Sequence, residues 1–113
     1  MQELGRGQKV FDHEPVRGPV RVVESVDDVL DLLDGDPTGV IAVVRDAGAT
    51  FLAPLYHDLG GVICTAGTLR SHIGIVTREF KIPCVMACEF DVPPTDGAVV
   101  ELDCSGEAGV VRG

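Results

Sequence analysis

One stretch of this 113-residue chain, residues 60–88, most constrains its fold. It begins with a glycine pair and a short apolar run, Val62–Cys64, which predicts a buried strand. A loop of small residues follows, and from His72 onward the apolar residues recur with the period of a helix. Pro83 predicts the end of that helix, because the residue before a proline is disfavoured in the helical region. A second apolar strand begins at Cys84, so the unit is strand, glycine-containing loop, helix and strand.

The position of His72 at the start of this helix has chemical consequences. Ser71 is a predicted N-cap, whose hydroxyl would accept a hydrogen bond from an N–H two or three residues later. His72 would then lie where unpaired N–H groups and the positive end of the helix dipole point outward. This environment favours a neutral imidazole and attracts anions. A nucleophilic nitrogen in an anion-binding site predicts a histidine that accepts a phosphoryl group.

His72 has two other possible roles. A lone histidine is often a packed spectator. A hydrolase pair with Ser71 is excluded, because neighbours in sequence project from different sides of a helix and cannot share a nucleophile–base hydrogen bond. His13 and His57 have no comparable context and are predicted to be surface or packing residues.

The segment TAGTLRSHIGIVTREFKIPCVMA, residues 65–87, resembles the phosphohistidine segment of the mobile domain of phosphoenolpyruvate-utilising enzymes. That family includes pyruvate phosphate dikinase, phosphoenolpyruvate synthase and rifampin phosphotransferase. The resemblance implies an α/β fold, the swivelling phosphohistidine domain with layered β/β/α architecture, and implies that His72 is the phosphorylated residue. The matching positions are Gly67, Ser71, His72, Gly74, Ile75, Val76, Thr77, Arg78, Glu79, Ile82 and Pro83.

Phosphate ligands are predicted on both sides of this loop. An arginine beside the acceptor, Arg70, could hold a phosphoryl group through two hydrogen bonds. Arg45 and Thr50 follow a predicted strand whose carboxyl end is a common place for ligand groups in α/β folds. Ala49, Thr50 and Pro54 also resemble a loop of the family, which implies that Arg45 and Thr50 could approach the phosphoryl group. A surface charge and a helix cap are an equally good interpretation. The full predicted set is the backbone of 67–73 with Gly67, Thr68, Arg70, Ser71, Thr50 and Arg45.

The rest of the chain divides into a lead-in, residues 1–17, and one domain, residues 18–113. Hydrophobic periodicity and turn residues predict the remaining elements. These are a strand at 18–23, a helix at 26–33 capped by Ser25, a strand at 40–44, a helix at 51–59 capped by Thr50, and strands at 98–102 and 109–111.

Composition restricts the compartment and the partners. A net charge of −9 argues against nucleic-acid binding, and no signal peptide or membrane-spanning segment is evident, which predicts a cytoplasmic protein. Cys64 and Cys84 lie in predicted strands and are interpreted as reduced core thiols. A metal held by Cys84, Cys88 and His72, or by the acids of the first helix, is a weak alternative.

These observations predict a phosphoryl carrier domain or subunit of a phosphotransferase. A partner's nucleotide-binding or phosphoenolpyruvate-binding domain would phosphorylate His72 from ATP or phosphoenolpyruvate, and His72 would pass the group to an acceptor. Mg²⁺ is expected at the partner's site and no cofactor on this domain, which would be inactive without its partners. The alternative is a non-catalytic binding or regulatory module on the same scaffold.

Overall fold

The computed structural model describes all of residues 1–113. It contains seven strands, two α-helices and one 3-10 helix, and neither α-helix has the length and apolar character required to cross a membrane. In chain order the elements are β1 (Glu3–Lys9), β2 (His13–Val22), α1 (Val26–Asp34), β3 (Ile41–Val44), the 3-10 helix (Ala53–Leu55), β4 (Gly61–Cys64), α2 (His72–Phe80), β5 (Cys84–Phe90), β6 (Val99–Cys104) and β7 (Gly109–Arg112).

The strands form a single closed barrel in the order β1-β5-β4-β3-β2-β6-β7, with β7 pairing back onto β1. The four neighbours β2, β3, β4 and β5 are parallel, and the remaining pairs are antiparallel. The predicted layered β/β/α architecture is therefore wrong: the molecule is mostly sheet, with two short helices outside a barrel.

The first strand explains why the sheet closes. The predicted lead-in, residues 1–17, contributes β1 and the first part of β2. β1 pairs with β5 on one side and with β7 on the other. Glycine makes part of this fit possible, since a Cβ added at Gly7 would lie 2.5 Å from the carbonyl oxygen of Met86.

Alternation along the central strands separates two apolar clusters. One set of residues points into the barrel, and the other set lies beneath the helices, so β3 and β4 are apolar on both faces. The interior cluster includes Val20, Ile41, Val43, Ile63, Val85, Leu102 and Val111. The outer cluster includes Val29 and Leu32 of α1, Leu52 and Leu55 around the 3-10 helix, Ile73 of α2, and Ala42, Val44, Val62 and Cys64 of the strands.

The segment predicted as a helix at 51–59 forms only a 3-10 helix and turns. Its N–H groups bond three residues back, as in Leu55 to Leu52 at 2.8 Å and Asp58 to Leu55 at 2.9 Å. Pro54 has no N–H, so an α-helical bond from this residue to Thr50 cannot form, and the Ala53 N–H donates to the Thr50 carbonyl instead, at 3.3 Å.

The residue before the first strand and the residue after the last strand are hydrogen-bonded to each other. The Gln2 N–H donates to the Gly113 carbonyl, and the Gly113 N–H donates to the Gln2 carbonyl, each at 2.9 Å. The two ends of the chain therefore leave the barrel at the same place.

Candidate functional site

His72 is the first residue of α2, and its side chain is exposed. It follows the loop that leaves the carboxyl end of β4. Ile73, the next residue, is fully buried in the outer cluster and anchors the start of the helix. The ring is therefore held at the surface by a helix that is itself fixed to the barrel. The other two histidines are engaged: the His13 ring contacts the Glu14 carbonyl at 2.7 Å, and the His57 ring packs against Phe80.

The loop before His72 is closed by its own side chains. The Thr68 N–H donates to Ser71 Oγ at 2.9 Å, and the Arg70 N–H donates to Thr68 Oγ1 at 3.2 Å. Ser71 occupies the N-cap position, but its hydroxyl bonds backward into the loop and caps no helical N–H. The predicted capping bond of Ser71 is therefore wrong, although the predicted start of the helix is confirmed.

Two backbone contacts from other segments hold this region. The Ile73 N–H, in the first turn of α2, donates to the carbonyl oxygen of Ala47 at 3.0 Å. The Ala87 N–H donates to the Ala66 carbonyl at 3.2 Å. Ala87 has φ +52° where the pairing of β1 with β5 shifts register, which marks a β-bulge beside the loop. Sequence reasoning missed both contacts, because a capping carbonyl has no side-chain signature.

The N–H groups of Gly67, Leu69, His72 and Gly74 make no hydrogen bond to a backbone carbonyl or to a side chain, unlike those of Thr68 and Arg70. First-turn N–H groups of a helix carry the positive end of its dipole and bind anions. The positive φ of Gly67, +77°, lets the chain turn closely here. The site therefore combines an exposed histidine at the first helical position with unpaired N–H groups in the residues before and after it in the chain.

Arg70 is the cation with the most freedom near His72. Of the nine Lys and Arg side chains in the sequence, six form ion pairs and Arg78 donates to the Val10 carbonyl at 2.5 Å. Arg70 and Lys81 remain without an ion pair, and both are exposed. In an acidic chain, an unpaired guanidinium two residues before His72 is a local positive charge available to an anion.

Arg45 and Thr50, the two predicted phosphate ligands outside the His72 loop, already make contacts of their own. The Arg45 guanidinium pairs with Glu24 at 3.0 Å while remaining 73% exposed, and it borders a cavity of about 120 Å³ with Asp46 and Phe51. Thr50 is exposed and accepts a backbone bond through its carbonyl. The loop that carries them reaches α2 through the Ala47 carbonyl.

All four cysteines are buried and free, which confirms Cys64 and Cys84 as core residues. Burial raises the pKa of the Cys84 and Cys88 thiols to about 12 and that of Cys104 to about 11. No group of three or more His, Cys, Asp or Glu side chains is arranged to hold a metal ion.

Comparison with solved structures shows similarity of fold at low sequence identity. Aconitase X of Thermococcus kodakaraensis matches over the whole of both chains with a TM-score of 0.59 and 17% identity. The microcin C7 self-immunity protein MccF matches 99% of this chain and 41% of its own, with a TM-score of 0.52 and 10% identity.

Sequence relatives are much longer proteins. Chondramide synthase of Chondromyces crocatus is 32% identical over 96 residues, which is 84% of this chain and 2% of the synthase. An uncharacterized protein of Mycobacterium tuberculosis is 39% identical over 108 residues, which is 86% of this chain and 11% of that protein. The chain thus spans a small share of these relatives.

The family model for the mobile domain of PEP-utilising enzymes matches residues 36–107. The match includes the β4–loop–α2–β5 unit, with His72 and every loop contact described above. The chain belongs to the PEP-utilising enzyme mobile domain family.

Proposed function

We propose that this domain is a phosphoryl carrier and that His72 is the residue that carries the group. The observation that supports this most directly is the exposed imidazole at the first position of α2, beside N–H groups without backbone partners. Family membership adds the expectation of transfer chemistry between partner domains.

The proposed reaction has two displacements at phosphorus. In the first, a neutral ring nitrogen of His72 attacks the terminal phosphorus of ATP or the phosphorus of phosphoenolpyruvate, held by a partner domain or subunit. The N–P bond forms, and the P–O bond to ADP or to enolpyruvate breaks with its electron pair going to that oxygen. In the second, an acceptor oxygen attacks phosphorus and the N–P electron pair returns to the ring.

The chain's own residues would stabilise the charge on the transferring group. The N–H groups of Gly67, Leu69, His72 and Gly74 make no backbone bond, and Arg70 has no ion pair, so neither set must break an existing contact to bind phosphate. Mg²⁺ would act at the partner's donor site. Arg45 and Thr50 are secondary candidates, and Arg45 would have to leave Glu24 to take part.

Chemical phosphorylation tests the carrier without its partners. The purified domain is incubated with phosphoramidate, a small anionic phosphoryl donor, and followed by intact mass and by peptide mapping. We expect one acid-labile phosphate adduct on His72, and none on the His72→Ala variant. Arg70→Ala is expected to slow the reaction about threefold or more, because a charge-assisted bond to phosphate is lost.

His57→Ala is the matched control, because His57 is an exposed histidine outside the loop. It should react at the wild-type rate. Equal labelling of His57 and His72, or no adduct at all, would contradict the proposal and favour a binding module that retains the scaffold.

A further inference from the structure

A tight turn at residues 46–49 connects β3 to the 3-10 segment. The Asp46 carboxylate accepts the Gly48 N–H at 2.9 Å, and the Asp46 carbonyl accepts the Ala49 N–H at 3.1 Å. Such a side-chain bond two residues forward fixes the direction of the backbone between its ends. Ala49 is buried at 5% exposure, which attaches the far side of the turn to the core.

This turn contacts both the start of α2 and the loop that precedes His72. The carbonyl between its two ends, that of Ala47, accepts the Ile73 N–H at 3.0 Å. The Ala47 methyl also lies against the loop, since a Cβ added at Gly67 would be 2.4 Å from the Ala47 Cβ. The 46–49 turn therefore contacts the start of α2 through Ile73 and the loop before it through Gly67.

We infer that Asp46 is a positioning residue for His72. By closing its turn it directs the Ala47 carbonyl toward the Ile73 N–H, and this bond holds the start of α2, where His72 is the first residue. This inference rests on the proposed function. Without the side-chain bond the turn would sample other conformations, the first helical turn would fray, and phosphorylation of His72 would slow by about two- to tenfold, the range of one net hydrogen bond.

Two variants of Asp46 separate geometry from charge. Both Asp46→Ala and Asp46→Asn remove the negative charge, but the asparagine amide oxygen can still accept the Gly48 N–H. A difference between them therefore reports the hydrogen bond alone.

Asp36→Ala is the matched control. Asp36 makes the same kind of bond, to the Thr38 N–H at 3.0 Å, and lies on the turn that enters β3, at the opposite end of the strand.

The experiment measures two quantities for each variant: the rate of phosphate adduct formation with phosphoramidate, and the hydrogen exchange of the Ile73 amide by NMR. We expect Asp46→Ala to react two- to tenfold more slowly than wild type and to lose protection at Ile73. Asp46→Asn should retain most of both, and Asp36→Ala should match wild type in both.

The outcomes distinguish this inference from the proposed function. A wild-type protein that forms no adduct overturns the carrier function and the positioning role with it. A wild-type protein that reacts, together with an Asp46→Ala variant that reacts equally fast or an Asp46→Asn variant as slow as Asp46→Ala, overturns the positioning role alone. Thermal unfolding confirms that each variant is folded before either result is read.

Discussion

Replacing Gly67 by alanine tests the close approach that shapes the His72 loop. Two costs follow from the structure. The residue has φ +77°, a region that L-residues occupy at a cost of about 1–2 kcal/mol. The added methyl would also lie 2.4 Å from the Ala47 Cβ and 2.7 Å from Ser71 Oγ.

Neither neighbouring group can move aside without a cost in free energy. The Ala47 Cβ is attached directly to the backbone, so the turn would have to move. Ser71 Oγ could rotate away only by giving up its bond to the Thr68 N–H. Overpacking of this kind costs about 1–3 kcal/mol, so that the total expected loss in the free energy of unfolding is roughly 2–5 kcal/mol.

Substitutions at two other glycines separate the backbone cost from the packing cost. Gly97 has φ +89°, and no heavy atom lies within 4 Å of an added Cβ, so Gly97→Ala should show the backbone cost alone. Gly106→Ala has neither a positive φ nor a nearby atom and should be close to neutral. Urea unfolding followed by circular dichroism gives all three values. If Gly67→Ala is no more destabilised than Gly97→Ala, the close approach of the turn to the loop is absent in solution and the argument from it fails.

Three further predictions concern other parts of the barrel. Lys81 ends α2 with φ +57°, so Lys81→Gly should raise the free energy of unfolding by about 0.5–1 kcal/mol; unchanged thermal stability would contradict this. Arg78→Met removes the bond to the Val10 carbonyl and should cost about 1–2 kcal/mol in urea unfolding, whereas a neutral result would mean that the bond is not formed. Burial raises the pKa of the Cys84 thiol from 9.0 to about 12, so the stability that depends on the neutral thiol is complete below pH 9.0 and is lost as the pH rises toward 12. The free energies of unfolding of wild type and Cys84→Ala, measured across that range, should therefore converge at high pH. A constant difference between the two proteins would refute the raised pKa.

The local elements around His72 were predictable because their signals lie in neighbouring residues. The helical period after His72, the proline that follows it and the serine before α1 gave boundaries close to those observed. Ser25 does accept the Asp28 N–H, at 3.4 Å, as a cap should.

Closure of the barrel was not predictable in the same way. Glu3–Lys9 is polar and contains two glycines, so it lacks the apolar alternation that marks a strand. It forms a strand because it pairs with β5 on one side and β7 on the other. The residues of these two strands lie roughly eighty to a hundred positions further along the chain. The Ala47 and Ala87 contacts were missed for a related reason, since backbone carbonyls and a bulge are set by tertiary geometry.

The mutual hydrogen bonds of Gln2 and Gly113 have a mechanical consequence. In relatives where this segment is a small part of a long polypeptide, a domain built this way would be attached to its neighbours through two adjacent linkers rooted at a single spot. Rotation about that spot would move the barrel as one body without disturbing any strand pairing, which is the kind of motion that the proposed carrier function needs.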